Sequence, residues 1–363
     1  MASQVVLITG CAQGIGKEVA LTLARDPQRR FKVYATMRNL VKRQTLDSKM
    51  ASHVVLITGC AQGIGKEVAL TLARDPQRRF KNELKTEAGS NLDDTLFIRE
   101  LDVTKQDTID KTVKEIIDNE GKIDVLVNNA GVTSGDWWET GPMQTFYDIM
   151  EVNYFGSVRM TKTVVPYMKE KIGVAKFSNS QVYLDFMLQD NRSMQRYIAE
   201  LGTLDEVLDE RTDIRYIYTT FSAVPVAAQY TASKFALEGF SESIAPPLRK
   251  FNVWVSVIEP GFVATDMVQQ FGDNPTALWV GHADEIPGEE DRKIVTDLVS
   301  FDPKIVSGDE MQETQEVAKL IQDVILSPKP DCRYQTSETI KRLATERFID
   351  PTGNAIMNNW LKA

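Results

Sequence analysis

Cysteine and histidine are scarce: three Cys and two His stand in 363 residues. Three thiols (Cys11, Cys60 and Cys332) cannot staple a disulfide framework, which points to a reducing compartment. His53 and His282 cannot build a multi-histidine metal centre, so no metal site is expected. Positive charge is in deficit as well. Lys and Arg number 42 against 51 Asp and Glu, a net charge of −9 with a pI near 5.1. That balance argues against nucleic acid or an anionic membrane as a partner. No stretch approaches the ~18 consecutive apolar residues of a membrane span, so no transmembrane segment is expected. No basic segment precedes the first apolar run, Val5–Ile8, so a cleaved secretory signal is not expected either. These absences lead to a cytoplasmic expectation. What is present, 42% apolar and 26% charged residues, is an ordinary globular mix that excludes whole-chain disorder and fibrous repeats.

An internal duplication dominates the organisation. Met1–Lys32 and Met50–Lys81 differ only at Gln4 versus His53. With two copies and nothing resembling a third, this is a repeated unit rather than a solenoid. Each copy has a continuous β-branched run, a glycine-rich turn and a helical pattern. After the first copy, residues 32–37 (KVYATM) read as a second strand, whereas Lys81 runs into the polar, helix-prone NELKTEAGS. The reading therefore places the first copy in the sheet and makes 50–81 an inserted duplicate of 1–32. Because the copies match, the reverse arrangement stays open.

Strand and helix patterns alternate along the rest of the chain. Strands are expected at Leu96–Leu101, Ile123–Val127, Ile214–Thr219 and Val253–Ile258, and helices over roughly Thr145–Lys171 and Ala232–Phe251. Continuous apolar strands covered on both faces suit a parallel sheet. The fold class expected is α/β, a Rossmann-type doubly wound parallel sheet with helices on both faces. The segment from Gly173 to Asp213 is too long for a normal αβ connection and reads as a second insertion, at about 174–213.

Three features carry chemistry. Gly10, Gly14 and Gly16 sit between a strand and a helix, where glycines let a backbone approach a pyrophosphate seated at the helix N-terminus. At the end of the second strand an acidic residue would accept the ribose hydroxyls of NAD. Arg38 stands there instead, and an Arg can pair with the 2′-phosphate of NADP. Asp102, after the Leu96–Leu101 strand, can accept from an adenine amino group or cap its own loop. Tyr230 and Lys234, four residues apart on a helix, share one face. A phenol ionises near pH ~10, too high for efficient proton transfer at neutral pH, and a neighbouring ammonium favours the phenolate. Such a couple can protonate a carbonyl oxygen, or deprotonate an alcohol, while a hydride moves.

In order along the chain, TGCAQGIG (9–16), LDVT (101–104), NNAG (128–131), VN (152–153), YTASK (230–234) and EPG (259–261) resemble the short-chain dehydrogenase/reductases. The wider text, including VNYFGSVRMTKTVVPYMK, VSVIEPGFVATDM and EVAKLIQDVI followed by RYQTS, is similar to the branch holding photoreceptor-type all-trans-retinol dehydrogenases and estradiol 17β-dehydrogenase type 1. The resemblance covers most of the chain outside Met50–Lys81 and about 174–213. It implies one domain over 1–363, with 263–363 a substrate lid and C-terminal extension. It also implies NADP(H) as cofactor, a small lipophilic alcohol or ketone of steroid or retinoid type as substrate, and is compatible with a homodimer. Gly10, Gly14, Ile15 and Gly16 would hold the pyrophosphate, Arg38 would select NADP(H), and Asp102 and Val103 would flank adenine. Asn129, Ala130 and Gly131 would border the ribose and nicotinamide side. Asn153 would support a proton-relay water with Lys234, which also holds the nicotinamide ribose, and Tyr230 would be the acid/base. Pro260, Gly261 and Val263 would line the nicotinamide, with Thr265 near its carboxamide.

Two departures matter. Ala12 stands where that branch often has a Ser near the 2′-phosphate. The family's catalytic Ser lies 13 residues before the Tyr, and here that position is Ile217. Aligning YTTFSA with the family's strand end points to Thr220, with Ser222 the neighbouring hydroxyl. Two other readings stay open beside the oxidoreductase: a nucleotide-binding pseudoenzyme or interaction protein, and a non-native gene product.

Overall fold

In the computed structural model the described residues are 3–38, 96–134, 136–170, 212–217, 227–261, 263, 286, 288–293 and 311–352. The second copy (50–81), most of the expected insertion at 174–213, and the candidate residues Thr220, Ser222 and Thr265 lie outside them.

The first copy supplies the centre of the sheet. After its first residue, strand β1 (Gln4–Ile8) is apolar and buried because it is covered on both sides. Val6 and Ile8 face one cluster of buried side chains, and Val5 and Leu7 the other. Each fully buried aliphatic side chain of this kind contributes roughly 2 kcal/mol relative to exposure. The Val5 amide also donates to the buried Asp124 Oδ2 at 2.6 Å, which fixes where the strand begins. Helix α1 (Gly14–Ala24) follows, then β2 (Phe31–Met37).

Next come β3 (Leu96–Glu100), α2 (Gln106–Glu120) and β4 (Val125–Asn128). The helical stretch expected over Thr145–Lys171 is three pieces. Helix α3 (Met143–Met150) runs into a π-helical turn (Glu151–Phe155), which runs into α4 (Gly156–Glu170). Strand β5 (Thr212–Ile217) starts two residues earlier than the apolar pattern suggests. Helix α5 (Ala228–Arg249) leads to β6 (Val253–Glu259).

The sequence reading ends the sheet there. The structure adds α6 (Thr314–Leu326), a seventh strand β7 (Arg333–Gln335) and α7 (Glu338–Ile349). Part of the segment expected to be lid and extension therefore belongs to the sheet.

The strand order is β3-β2-β1-β4-β5-β6-β7, and every pairing is parallel. Helices α1 and α6 pack together on one face, against Val33, Ala35 and Val125. Helices α2, α4 and α5 cover the other through Ile109, Met160 and Leu237. This is the doubly wound sheet expected from the sequence. The winding reverses between β1 and β4, and in such sheets the crevice beyond the carboxyl ends of those strands is where ligands bind.

Candidate active site

The glycine turn closes that crevice on one side. Gly10 and Gly14 have φ of 69° and 56°, the left-handed region that favours glycine. A Cβ on Gly10 would lie 2.8 Å from Ala130 Cα, and one on Gly16 would lie 2.7 Å from the Gly10 oxygen and collide with the Asn129 amide. The turn is thus packed tightly onto the end of β4, and Asn129 is the reason. Its Nδ2 donates to the carbonyls of Thr9 (3.0 Å) and Gly10 (3.1 Å). Thr9 Oγ1 in return accepts from the amides of Asn129 (3.0 Å) and Ala130 (3.1 Å). The resemblance assigns Asn129 and Ala130 to the ribose and nicotinamide side; within the protein they brace the turn. Ile15 sends its side chain into the core, leaving its backbone at the turn. Cys11 is buried there, its amide donating to Thr36 O at 2.9 Å, and burial pushes its thiol up to about 12, so it is chemically inert.

The opening of α1 is suited to an anion. Its first turn holds no acidic residue and its N-cap, Gln13, supplies no capping hydrogen bond, so backbone N–H groups point out beside the glycines. Arg38 is exposed directly after β2, whose Thr36 is tied to this turn. Asp102 is buried, and its Oδ1 accepts from the amide (3.0 Å) and hydroxyl (2.7 Å) of Thr104. It therefore caps its loop, and among the described residues its hydrogen bonds leave Oδ2 unengaged. Val103 packs against Gly156, where a Cβ would meet its Cγ2 at 2.7 Å.

Across the crevice stand Tyr230 and Lys234, in the first two turns of α5. The helix begins at Ala228, four residues before the apolar periodicity, so both side chains are inside it. They are 6% and 4% exposed, and the ammonium lies 5.1 Å from the centroid of the phenol ring. A Cβ on Gly131 would come within 3.3 Å of Lys234 Nζ and 3.5 Å of Asn153 Oδ1, so the NNAG loop, the lysine and the asparagine meet at one point.

Asn153, fully buried, sits in the π-helical turn, an irregularity that recurs at functional sites. Its Oδ1 accepts from Val132 N at 2.8 Å, and its Nδ2 donates to Val132 O at 3.0 Å and to Ser233 Oγ at 2.9 Å. Ser233 in turn donates to the Tyr230 carbonyl at 2.7 Å. Ser233 is a residue the sequence reading missed, although its place between Tyr230 and Lys234 inside YTASK marks it. Gln229, also missed, is buried next to the tyrosine and donates to Asp136 O at 3.1 Å, fixing the loop that carries Trp137 and Trp138.

The third side is the end of β6. Glu259 is buried, followed by buried Pro260, Gly261 and Val263. Arg333 on β7 pairs with Glu259 and Glu242, and with Glu238 at 2.6 Å. Burial pushes the Glu259 carboxyl up, and the Arg333 guanidinium pulls the other way. Arg347 gives Glu238 a second partner at 3.4 Å. Removing Arg333 leaves the buried Glu259 carboxylate without its cationic partner and Glu238 with Arg347, and a broken buried pair costs about 3–5 kcal/mol. Arg333→Ala is expected to lower stability by about 3 kcal/mol in chemical denaturation, with Arg333→Lys recovering only part, because an ammonium lacks the fork that reaches several carboxylates at once.

A family model described as short chain dehydrogenase matches residues 53–175 and 218–276, half of the chain. The chain belongs to the short chain dehydrogenase family. The match enters at the second copy, whereas the described sheet of this dehydrogenase contains the first. Retinol dehydrogenase 8 of Bos taurus is 29% identical over 97% of this chain and 88% of its own length. The 17-beta-hydroxysteroid dehydrogenase type 1 of Homo sapiens is 28% identical over 98% and 84% respectively. Among solved structures, a short-chain dehydrogenase from Streptomyces avermitilis superposes with a TM-score of 0.59 at 19% identity, covering 100% of this chain and 97% of its own. ElxO with NADP bound gives 0.57 at 17%, covering 94% and 99%. These two share the dehydrogenase's Rossmann-type fold.

A nicotinamide dinucleotide fits the residues present. The cradle of Gly10 and Gly16 has no room for a Cβ, Gly14 needs a positive φ, and uncapped N–H groups stand beside them.

Proposed function

We propose that this dehydrogenase is an NADP(H)-dependent oxidoreductase that interconverts a lipophilic secondary or allylic alcohol, of steroid or retinoid type, and its carbonyl. The observation that carries the reading is the buried Tyr230–Lys234 couple, its ammonium 5.1 Å from the centroid of the phenol ring, with Lys234 meeting Gly131 and Asn153. A bound nicotinamide supplies or accepts the hydride. Gly10, Gly14, Ile15 and Gly16 hold the pyrophosphate through backbone amides, and Arg38 pairs with the 2′-phosphate. Asp102, through Oδ2, and Val103 border the adenine.

Tyr230 delivers the proton to the carbonyl oxygen in reduction and removes it from the alcohol in oxidation. The Lys234 ammonium stabilises the negative charge that develops on the phenol oxygen. Asn153, through Ser233 and Val132, keeps the tyrosine turn and the NNAG loop in register for that transfer. Thr220, with Ser222 beside it, supplies the hydroxyl to the substrate oxygen, and Pro260, Gly261, Val263 and Thr265 border the nicotinamide. The names of the retinol and 17-beta-hydroxysteroid relatives support the substrate class. Low cysteine content supports a cytoplasmic setting. Among the described residues no helix is long and apolar enough to cross a membrane.

The test is turnover of a retinoid aldehyde and a 17-keto steroid, with NADPH and NADH each titrated against the full chain. Reduction of either substrate, with NADPH preferred, is the expected result. Cofactor binding without reduction of either overturns the catalytic reading. A charge-assisted hydrogen bond contributes about 1.5–3 kcal/mol, so Arg38→Ala is expected to weaken NADPH by about tenfold to hundredfold while NADH affinity stays level.

A further inference from the structure

The turn after β6 is held almost entirely from the C-terminal segment. The Gly261 amide donates to two side-chain oxygens, Gln312 Oε1 at 3.3 Å and Thr336 Oγ1 at 3.2 Å. The Thr336 hydroxyl itself donates to Gln312 Oε1, and Gln312 Nε2 donates to Thr336 O at 2.8 Å, so the two side chains lock each other in place. On either side the grip continues. Thr336 N donates to Glu259 O at 3.2 Å, Gln335 donates to the Glu259 carboxylate, and Val263 forms a parallel bridge with Gln312. A Cβ on Gly261 would lie 2.8 Å from Ser337 Oγ, so the turn is seated against the start of α7. Two separate stretches of chain, at Gln312 and at Thr336, therefore converge on the one buried backbone amide of Gly261.

We infer that Thr336 and Gln312 are positioning residues that fix the Pro260–Val263 turn where the nicotinamide half of the cofactor is received, with Arg333 holding the Glu259 end of the same turn. The inference rests on the proposed reading that this turn borders the nicotinamide. It separates the cofactor into two halves with different supports. The adenine half is received by the glycine turn, Arg38 and Asp102, which Thr336 and Gln312 do not touch.

The experiment measures binding of NADPH and of adenosine 2′,5′-bisphosphate, which lacks the nicotinamide half, to the full chain and its variants, with thermal unfolding alongside. Leaving a buried donor short of an acceptor corresponds to roughly fivefold to 150-fold in an equilibrium. Thr336→Val keeps the side-chain shape and is expected to weaken NADPH about fivefold. The double variant Thr336→Val/Gln312→Ala, which strips the Gly261 amide of both acceptors, is expected to weaken it about thirtyfold. Affinity for the adenine fragment stays within about twofold of the unaltered chain, and Thr336→Ser, which returns the hydroxyl, restores NADPH binding. Equal weakening of both ligands, unchanged NADPH affinity, or failure of Thr336→Ser to rescue each overturns the inference. Should Thr336→Val unfold, Gln312→Ala alone is measured by the same two ligands and the same criteria. If the unaltered chain binds NADPH and reduces substrate but the variants do not discriminate, only the positioning role falls. If it binds neither ligand, the reading beneath it falls too.

Discussion

Tyr230→Phe is expected to abolish turnover while leaving NADPH affinity unchanged. The substitution removes one oxygen atom and keeps the ring, so the buried position in the first turn of α5 and the packing beside Lys234 survive. Positioned acid–base catalysis accounts for about 10²–10⁴-fold in rate, so a fall of about 10³-fold in the hydride-transfer step is the anticipated size. In the proposed reading cofactor affinity rests on the glycine turn, Arg38 and the Lys234 ammonium, none of which loses an atom. The measurement is single-turnover oxidation of NADPH with saturating carbonyl substrate, paired with a binding titration of the same preparation. A variant that retains turnover within about tenfold removes Tyr230 from the proton-transfer role. A variant that loses affinity in step with rate shows that the phenol was supporting the crevice rather than the chemistry.

How much of this arrangement is legible in the sequence depends on how local each feature is. The β1–turn–α1 unit was fully legible. Four successive apolar residues, spaced glycines and helical periodicity are all properties of neighbouring residues, and the first copy forms an interior strand between β2 and β4. The Tyr230–Lys234 couple was legible for the same reason, since four residues along a helix is one turn. Features made by distant stretches were not.

Asn129 offered only its place in NNAG; that its amide locks the glycine turn requires β4 to lie beside β1. The π-helical turn around Asn153 is a five-residue change of winding inside a longer helical stretch, and no residue type marks it. Strand β7 is three residues, Arg-Tyr-Gln, too short and too polar to show alternation, and it exists because β6 offers an edge. The Arg333 cluster gathers Glu238, Glu242 and Glu259 from two elements far from residue 333. Read along the chain, those carboxylates are a solvated helix face and part of a motif; only the folded sheet makes them one charge group.

The duplication supplies the sharpest remaining test. The sheet has one position between β2 and β4, and the first copy fills it with Val5, Val6, Leu7 and Ile8 buried to 1% exposure or less. The chain offers the same four residues again at Val54, Val55, Leu56 and Ile57, so composition cannot decide which copy serves the cofactor. What separates the copies is continuity: β2 follows α1 of the first copy directly, and Arg38 follows β2.

Gly14→Asp places a carboxylate and a Cβ where φ is 56° and where the proposed reading seats the pyrophosphate. Like charges forced together cost several kcal/mol, so NADPH affinity is expected to fall by at least about a hundredfold. Gly63→Asp, the same change in the second copy, is expected to leave affinity within about twofold, because the sequence after the second copy offers neither a second strand pattern nor a counterpart of Arg38. Both are read by the same titration, with circular dichroism to confirm that each variant folds. Loss of binding in Gly63→Asp alone would mean that the second copy receives the cofactor. Loss only in the double variant would mean that either copy can occupy the one central slot, and the assignment of the dinucleotide to Gly10, Gly14 and Gly16 alone would fail.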